Sequence, residues 1–217
     1  MSKGRVFVIE SPNPLDLLED RGERDALLHV CRVFGYNAST FVTRDISEFE
    51  QTCSYISSIT GNDKDKTPLF LHVSLHGNAS GIGIGRDTMD WRSLANTIQS
   101  MYNDLQYYHG PIVLILSACG ANKQKLTTEL TKLIKNSKEP YIPPEYVFVF
   151  AQDNIEWADA VVTWTIFYRA ISKIDIFSDR TKVQDLLNRL KSSKFGILKY
   201  HRWDKSTNSY KYYPKTK

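Results

Sequence analysis

Cysteine is scarce in this chain: three in 217 residues, with no Cys-x-x-Cys pair. That pattern excludes a disulfide-stapled scaffold, and the lack of an apolar leader makes a reducing compartment, the cytoplasm, the expected location. No apolar run is long enough to span a bilayer, so no membrane partner is expected. No internal repeat recurs, which argues against a solenoid. Charge of one sign is not in excess either: 28 Lys and Arg stand against 24 Asp and Glu, a formal net charge of +4. That balance is too small to imply nucleic-acid binding. Asn37-Ala38-Ser39 and Asn78-Ala79-Ser80 fit the glycosylation pattern, and without a secretion signal they read as chance matches.

What the chain does have is a core. Hydrophobic residues make up 41% of it, enough for one domain, expected over 1–203. Residues 204–217 read as a basic, tyrosine-rich C-terminal tail in which Lys205, Lys211, Lys215 and Lys217 interleave with Tyr210, Tyr212 and Tyr213. Such a segment is either solvated or a terminal strand packing its tyrosines; phosphate contact and stacking are the weaker alternative.

Two apolar runs end at reactive side chains followed by glycine. Leu71-His72-Val73-Ser74-Leu75 leads into His76-Gly77, and Ile112-Val113-Leu114-Ile115-Leu116 leads into Ser117-Ala118-Cys119-Gly120. Continuous β-branched and leucine residues suit strands covered on both faces, hence a parallel sheet between helix layers. Between the runs Asp90 caps an expected helix whose Trp91, Leu94, Ala95, Ile98, Met101, Tyr102 and Leu105 share a face. Strand, crossover helix and strand place both ends at the carboxyl edge of one sheet, where open α/β sheets bind ligands. The same patterns predict strands over 5–10, 38–43, 146–151 and 195–200, and helices over 23–36, 47–59, 123–135, 157–172 and 183–191. Gly81-Ile82-Gly83-Ile84-Gly85 lacks the third glycine of the dinucleotide fingerprint and reads as a hairpin or loop after His76.

An apolar run into His-Gly followed by one into Ala-Cys-Gly resembles the signature of the caspase-like cysteine peptidases, which include caspases, metacaspases, legumains and CHAT-type proteases. The resemblance implies an α/β fold, a three-layer sandwich with a mostly parallel central sheet flanked by helices on both faces. It implies His76 as general base, Cys119 as nucleophile, and the amides of Gly77 and Cys119 as the oxyanion hole. Ser117 stands where caspases carry glutamine, a substrate-binding position. Asp153 and Glu156, with Gln152, follow a strand whose end helps form the pocket for the residue before the scissile bond, and acidic groups there favour lysine or arginine. Asp153-Asn154-Ile155-Glu156 reads equally well as a capping box. No third member of a catalytic triad is assigned. The loop 136–145 lies where caspases carry a processed linker, although proline-rich loops of this length are more often plain connections. The implied role is that of a cytoplasmic thiol protease acting on a protein substrate, with an activating or regulatory protein partner, in a bacterial signalling or antiviral defence pathway.

The chemistry can be stated without the family. A thiol with an ordinary pKa of about 8.5 is mostly protonated near neutrality, so an imidazole must take its proton. Attack on a peptide carbonyl then forms a thioester acyl-enzyme, and amide donors stabilise the oxyanion. The rival is a catalytically silent pseudo-protease that uses the same cleft to hold a peptide. No cofactor is expected. A metal is not expected either, because His72 and His76 would stand roughly 13 Å apart along a strand at about 3.3 Å per residue. Cys31 and Cys53 sit at helical spacing among apolar residues and read as inert.

Overall fold

Runs of Val, Ile, Leu and Phe set out the sheet, and amphipathic segments return the chain between them. The computed structural model describes residues 3–60, 66–105, 107–121, 125–137, 142–176, 178–193 and 195–214. In chain order the elements are β1 (Arg5–Ser11), α1 (Pro14–Leu18), α2 (Arg24–Val33), β2 (Asn37–Val42), α3 (Ile46–Thr60), β3 (Leu69–Leu75), β4 (Gly81–Ile84) and β5 (Asp87–Asp90). They continue with α4 (Trp91–Asn103), β6 (Ile112–Ser117), α5 (Lys125–Asn136), β7 (Tyr146–Phe150), α6 (Trp157–Ile171), α7 (Arg180–Ser192), β8 (Leu198–Asp204) and β9 (Ser209–Tyr213). Parts of the loop 136–145 lie outside the described residues, as do Lys123 and Gln124 of the expected 123–135 helix.

The central sheet runs β2-β1-β3-β6-β7-β8-β9. Its first five strands are parallel, and β8 and β9 add antiparallel. One face packs against α3, α4 and α5 through residues such as Phe49, Leu94, Ile98 and Leu130. The other packs against α2, α6 and α7 through Leu27, Trp164, Phe167 and Leu187. The expected three-layer α/β sandwich is therefore the one observed. No helix among the described residues is long and apolar enough to cross a membrane.

The pleat sorts side chains between the two layers. On β3, Leu69, Leu71, Val73 and Leu75 face the α3–α4 side, while Phe70 faces α2 and α6. On β6, Leu114 and Leu116 face the first layer, and Val113 and Ile115 the second. By the same alternation His72, Ser74 and Ser117 point toward α2 and α6, whereas Leu75 and Ala118 point away.

Asp90 caps α4 as expected, its side chain accepting from the Ser93 N–H at 2.7 Å. The glycine run forms the β4–β5 hairpin. A short helix, α1, precedes α2. The strand expected over 195–200 begins at Leu198 and runs to Asp204, so the boundary at 203 cuts through β8. Of the readings of the C-terminal segment, the terminal strand packing its tyrosines is the one observed: it contributes β9, in which Tyr210 is buried and its hydroxyl donates to the Pro144 carbonyl at 3.1 Å.

His201 on β8 is buried. Its Nδ1 lies 2.9 Å from the Thr127 hydroxyl, and its Nε2 has no hydrogen-bond partner. Burial, with a smaller push from Lys199, lowers this imidazole to about 3. The unfolded chain, with an ordinary histidine near 6.5, binds the proton first. Stability is therefore full above about pH 6.5 and is lost as pH falls toward 3, at roughly 1.4 kcal/mol per pH unit for one proton. His201→Gln should flatten the urea midpoint between pH 6 and about 4 by one proton's slope. Parallel curves for the two proteins would refute this.

Candidate active site

β3 and β6 pair with Ser74 opposite Ser117. Continued two residues beyond the paired strands, that register and the pleat would set His76 opposite Cys119, both with the parity of the α2–α6 face. The loops beyond the strands keep them together. A methyl group placed on Gly77 would come within 2.5 Å of the Cys119 carbonyl oxygen, and one on Gly120 within 2.6 Å of the Asn78 carbonyl carbon. Only glycine allows backbones to approach so closely, and Gly120 also holds φ +71°. Gly77 bridges to Ile82, but the bonds of that bridge are Asn78 N–H to Gly81 and Gly83 N–H to the His76 carbonyl, each 2.9 Å. The Gly77 N–H takes no part in them.

The His76 ring is half exposed and braced by α1. Asn13 caps this helix, Pro14 fills its first turn, and Asp16 closes a reciprocal capping box. The fully buried Asp16 then extends its carboxylate to His76, with Oδ2 2.5 Å from Nε2. Trp157, the first residue of α6, donates its indole N–H to Asp16 Oδ1 at 3.2 Å and meets the imidazole edge-on, with centroids 5.6 Å apart. Asn13 Oδ1 accepts the Asp16 N–H, so the Asn13 amide nitrogen is the atom packed 3.0 Å from His76 Nε2. Burial pushes the Asp16 carboxyl upward, but bonds from His76 and the Asn13 N–H outweigh it and hold the group below its ordinary value. An ionised carboxylate only accepts, so the neutral ring carries its proton on Nε2 and its lone pair on Nδ1. Asp16, Asn13 and Trp157 were not among the residues expected from sequence. Asn13-Pro14-Leu15-Asp16 signals a helix start, but nothing local ties it to a histidine 60 residues away.

The three cysteines differ sharply. Cys31 and Cys53 are buried, and burial pushes each thiol up to about 12. Cys119 is partly exposed.

Ser117, expected at the substrate, is instead buried. Its hydroxyl donates to Glu23 Oε1 at 2.5 Å and accepts the Trp164 indole N–H at 2.8 Å. The correction follows from the pleat, which points Ser117 between the sheet and α6. There it joins a buried network: Glu23 Oε2 lies 3.0 Å from His72 Nε2, and His72 Nδ1 lies 3.2 Å from the Tyr168 hydroxyl. His72 thus bonds to a covering helix and is no partner for His76.

Gln152 is committed elsewhere, accepting the Ile197 N–H at 2.9 Å. The exposed Asp153 lies on a loop tied to the Cys119–Gly120 turn, its carbonyl accepting the Gly120 N–H at 3.2 Å. Glu156 is exposed and is the N-cap residue of α6, without a side-chain cap bond. The alternative capping box starting at Asp153 is not formed.

No protein-family model matches the chain, and no curated protein does. Among solved structures it is similar to caspase-1 from Spodoptera frugiperda, with 12% identity, coverage of 87% of this chain and 78% of that one, and a TM-score of 0.56. It also aligns with drICE at 10% identity, covering 91% and 86% of the two chains with a TM-score of 0.49. Together with the seven-stranded sheet between two helix layers, the first of these likenesses gives the chain a caspase-like fold.

Proposed function

We propose that the chain is a cysteine endopeptidase acting on a protein substrate, in the cytoplasm and within a signalling or defence pathway, with His76 and Cys119 as its dyad. The observation that carries this reading is the meeting of the two strand ends at Gly77 and Cys119, beside an imidazole whose far nitrogen is held by Asp16. His76 Nδ1 takes the Sγ proton, and the sulfur attacks the peptide carbonyl carbon. The amides of Gly77 and Cys119 hold the developing oxyanion. Collapse expels the amine, which takes its proton from the imidazolium, and leaves a thioester. Water, deprotonated by Nδ1, attacks the thioester and releases the acid and the thiol. Asp16 positions the ring and stabilises its cationic form.

Acidic surroundings favour a basic side chain before the scissile bond. Asp153 and Glu156 flank the nucleophile turn on one side. On the other, a pocket of about 190 Å³ opens beside Asp16 between β1 and α2. Its guanidiniums are committed: Arg21 lies 2.9 Å from Glu19 and 3.5 Å from Asp16, and Arg24 lies 2.8 Å from Asp25. Glu10 is buried and accepts the Glu23 and Arg24 N–H groups, so the Asp20 carboxylate is the one that remains to meet a cation. A fluorogenic peptide library should show thiol-dependent cleavage after lysine or arginine, and Asp20→Asn should lower kcat/KM for those peptides by about tenfold. Preference for acidic or purely apolar residues would remove the electrostatic argument. Failure to cleave any peptide would favour the pseudo-protease.

A further inference from the structure

The sheet has a second hollow, at the edge opposite the dyad. A cavity of about 800 Å³ is lined by the start of β6 at Ile112, the start of α7 at Arg180, and the β8–β9 hairpin. β6 separates it from Cys119: Ile112 lines the cavity, and Ser117 ends the strand about 17 Å away at roughly 3.3 Å per residue.

Its walls carry four cations, Arg180, Arg202, Lys205 and Lys211, against two carboxylates, Glu145 and Asp204. The carboxylates are already engaged. Arg202 lies 3.5 Å from Glu145, and Lys211 lies 3.9 Å from Asp204. Burial also pushes the Glu145 carboxyl up, toward its neutral form. Arg180 and Lys205, both exposed, have no hydrogen-bond or ion-pair partner among the described residues. The Arg202 Nε–H is buried without an acceptor. Trp203 and Tyr212 add flat apolar walls.

We propose that this cavity binds a nucleoside phosphate. The volume is that of a small-molecule site. Arg180 and Lys205 meet the phosphate oxygens. Tyr212, the more exposed of the two rings, receives the base by stacking. The Lys-Tyr alternation of the C-terminal segment thereby gains a use that neither a solvated tail nor long nucleic acid supplies.

Isothermal titration calorimetry with ATP, pyrophosphate and adenosine tests the assignment directly and independently of any peptidase activity. ATP should bind saturably below about 1 mM, and pyrophosphate and adenosine each at least about tenfold more weakly. Arg180→Ala with Lys205→Ala should weaken ATP by about tenfold or more, and Tyr212→Ala should weaken ATP while leaving pyrophosphate unchanged. Arg180 and Lys205 are exposed, so the double variant should keep the wild-type melting temperature. Absence of saturable ATP binding overturns the proposal. So does pyrophosphate or adenosine matching ATP, or the double variant binding ATP as tightly as wild type.

Discussion

Cys119→Ala is expected to reduce peptide cleavage by at least about four orders of magnitude, because its sulfur is the group proposed to form the acyl intermediate. The neighbouring residues make the substitution a clean one. Cys119 lies beyond the end of β6 and is partly exposed, so loss of its sulfur leaves the two apolar layers intact. The same residue should be singled out chemically. Iodoacetamide near pH 7.5 should modify Cys119 and spare Cys31 and Cys53, whose buried thiols are pushed up to about 12 and are protonated there. Peptide mapping after alkylation gives the ratio. Equal labelling of all three thiols, or cleavage that survives in Cys119→Ala, would place the chemistry elsewhere.

Asp16→Asn is expected to cost on the order of a hundredfold to ten-thousandfold in kcat, with KM little changed. The acidic oxygen 2.5 Å from His76 Nε2 keeps the proton on that nitrogen. An asparagine can offer its NH₂ group instead, which lets the ring place its lone pair on Nε2 and turn an N–H toward the thiol. It also removes the charge that stabilises the imidazolium. A merely structural role predicts a lower melting temperature with kcat preserved in the surviving fold. A catalytic positioning role predicts a lower kcat and slower Cys119 alkylation at an unchanged melting temperature. Because the Asp16 carboxyl is held below its ordinary value, it stays ionised above about pH 4 and its contribution fades only as pH falls below that. Any acid limb between pH 5 and 8 therefore does not report Asp16.

The central sheet was legible because its strands are continuous apolar runs and its helices keep a 3.6-residue stripe. His76 and Cys119 were legible because each follows such a run. Ser117 was misplaced for the same reason. In a strand covered on both faces, alternation carries no polar mark, so the face that Ser117 joins emerges only once Val113 and Ile115 are seen against α6. Asp16 was missed because α1 has five residues, too few for periodicity, and its contact spans 60 positions. The tyrosines of β9 were ambiguous because lysines alternate with them. Pairing with β8, which buries Tyr210 and leaves Lys211 exposed, resolves them into a half-covered edge strand.

A single turn of helix is too short to persist in water by its own hydrogen bonds. α1 is therefore maintained by the cap and by the side chains it grips. Fraying there would release the imidazole while seven strands stay locked together, so heat should silence this protein well before it melts, and cooling should restore it.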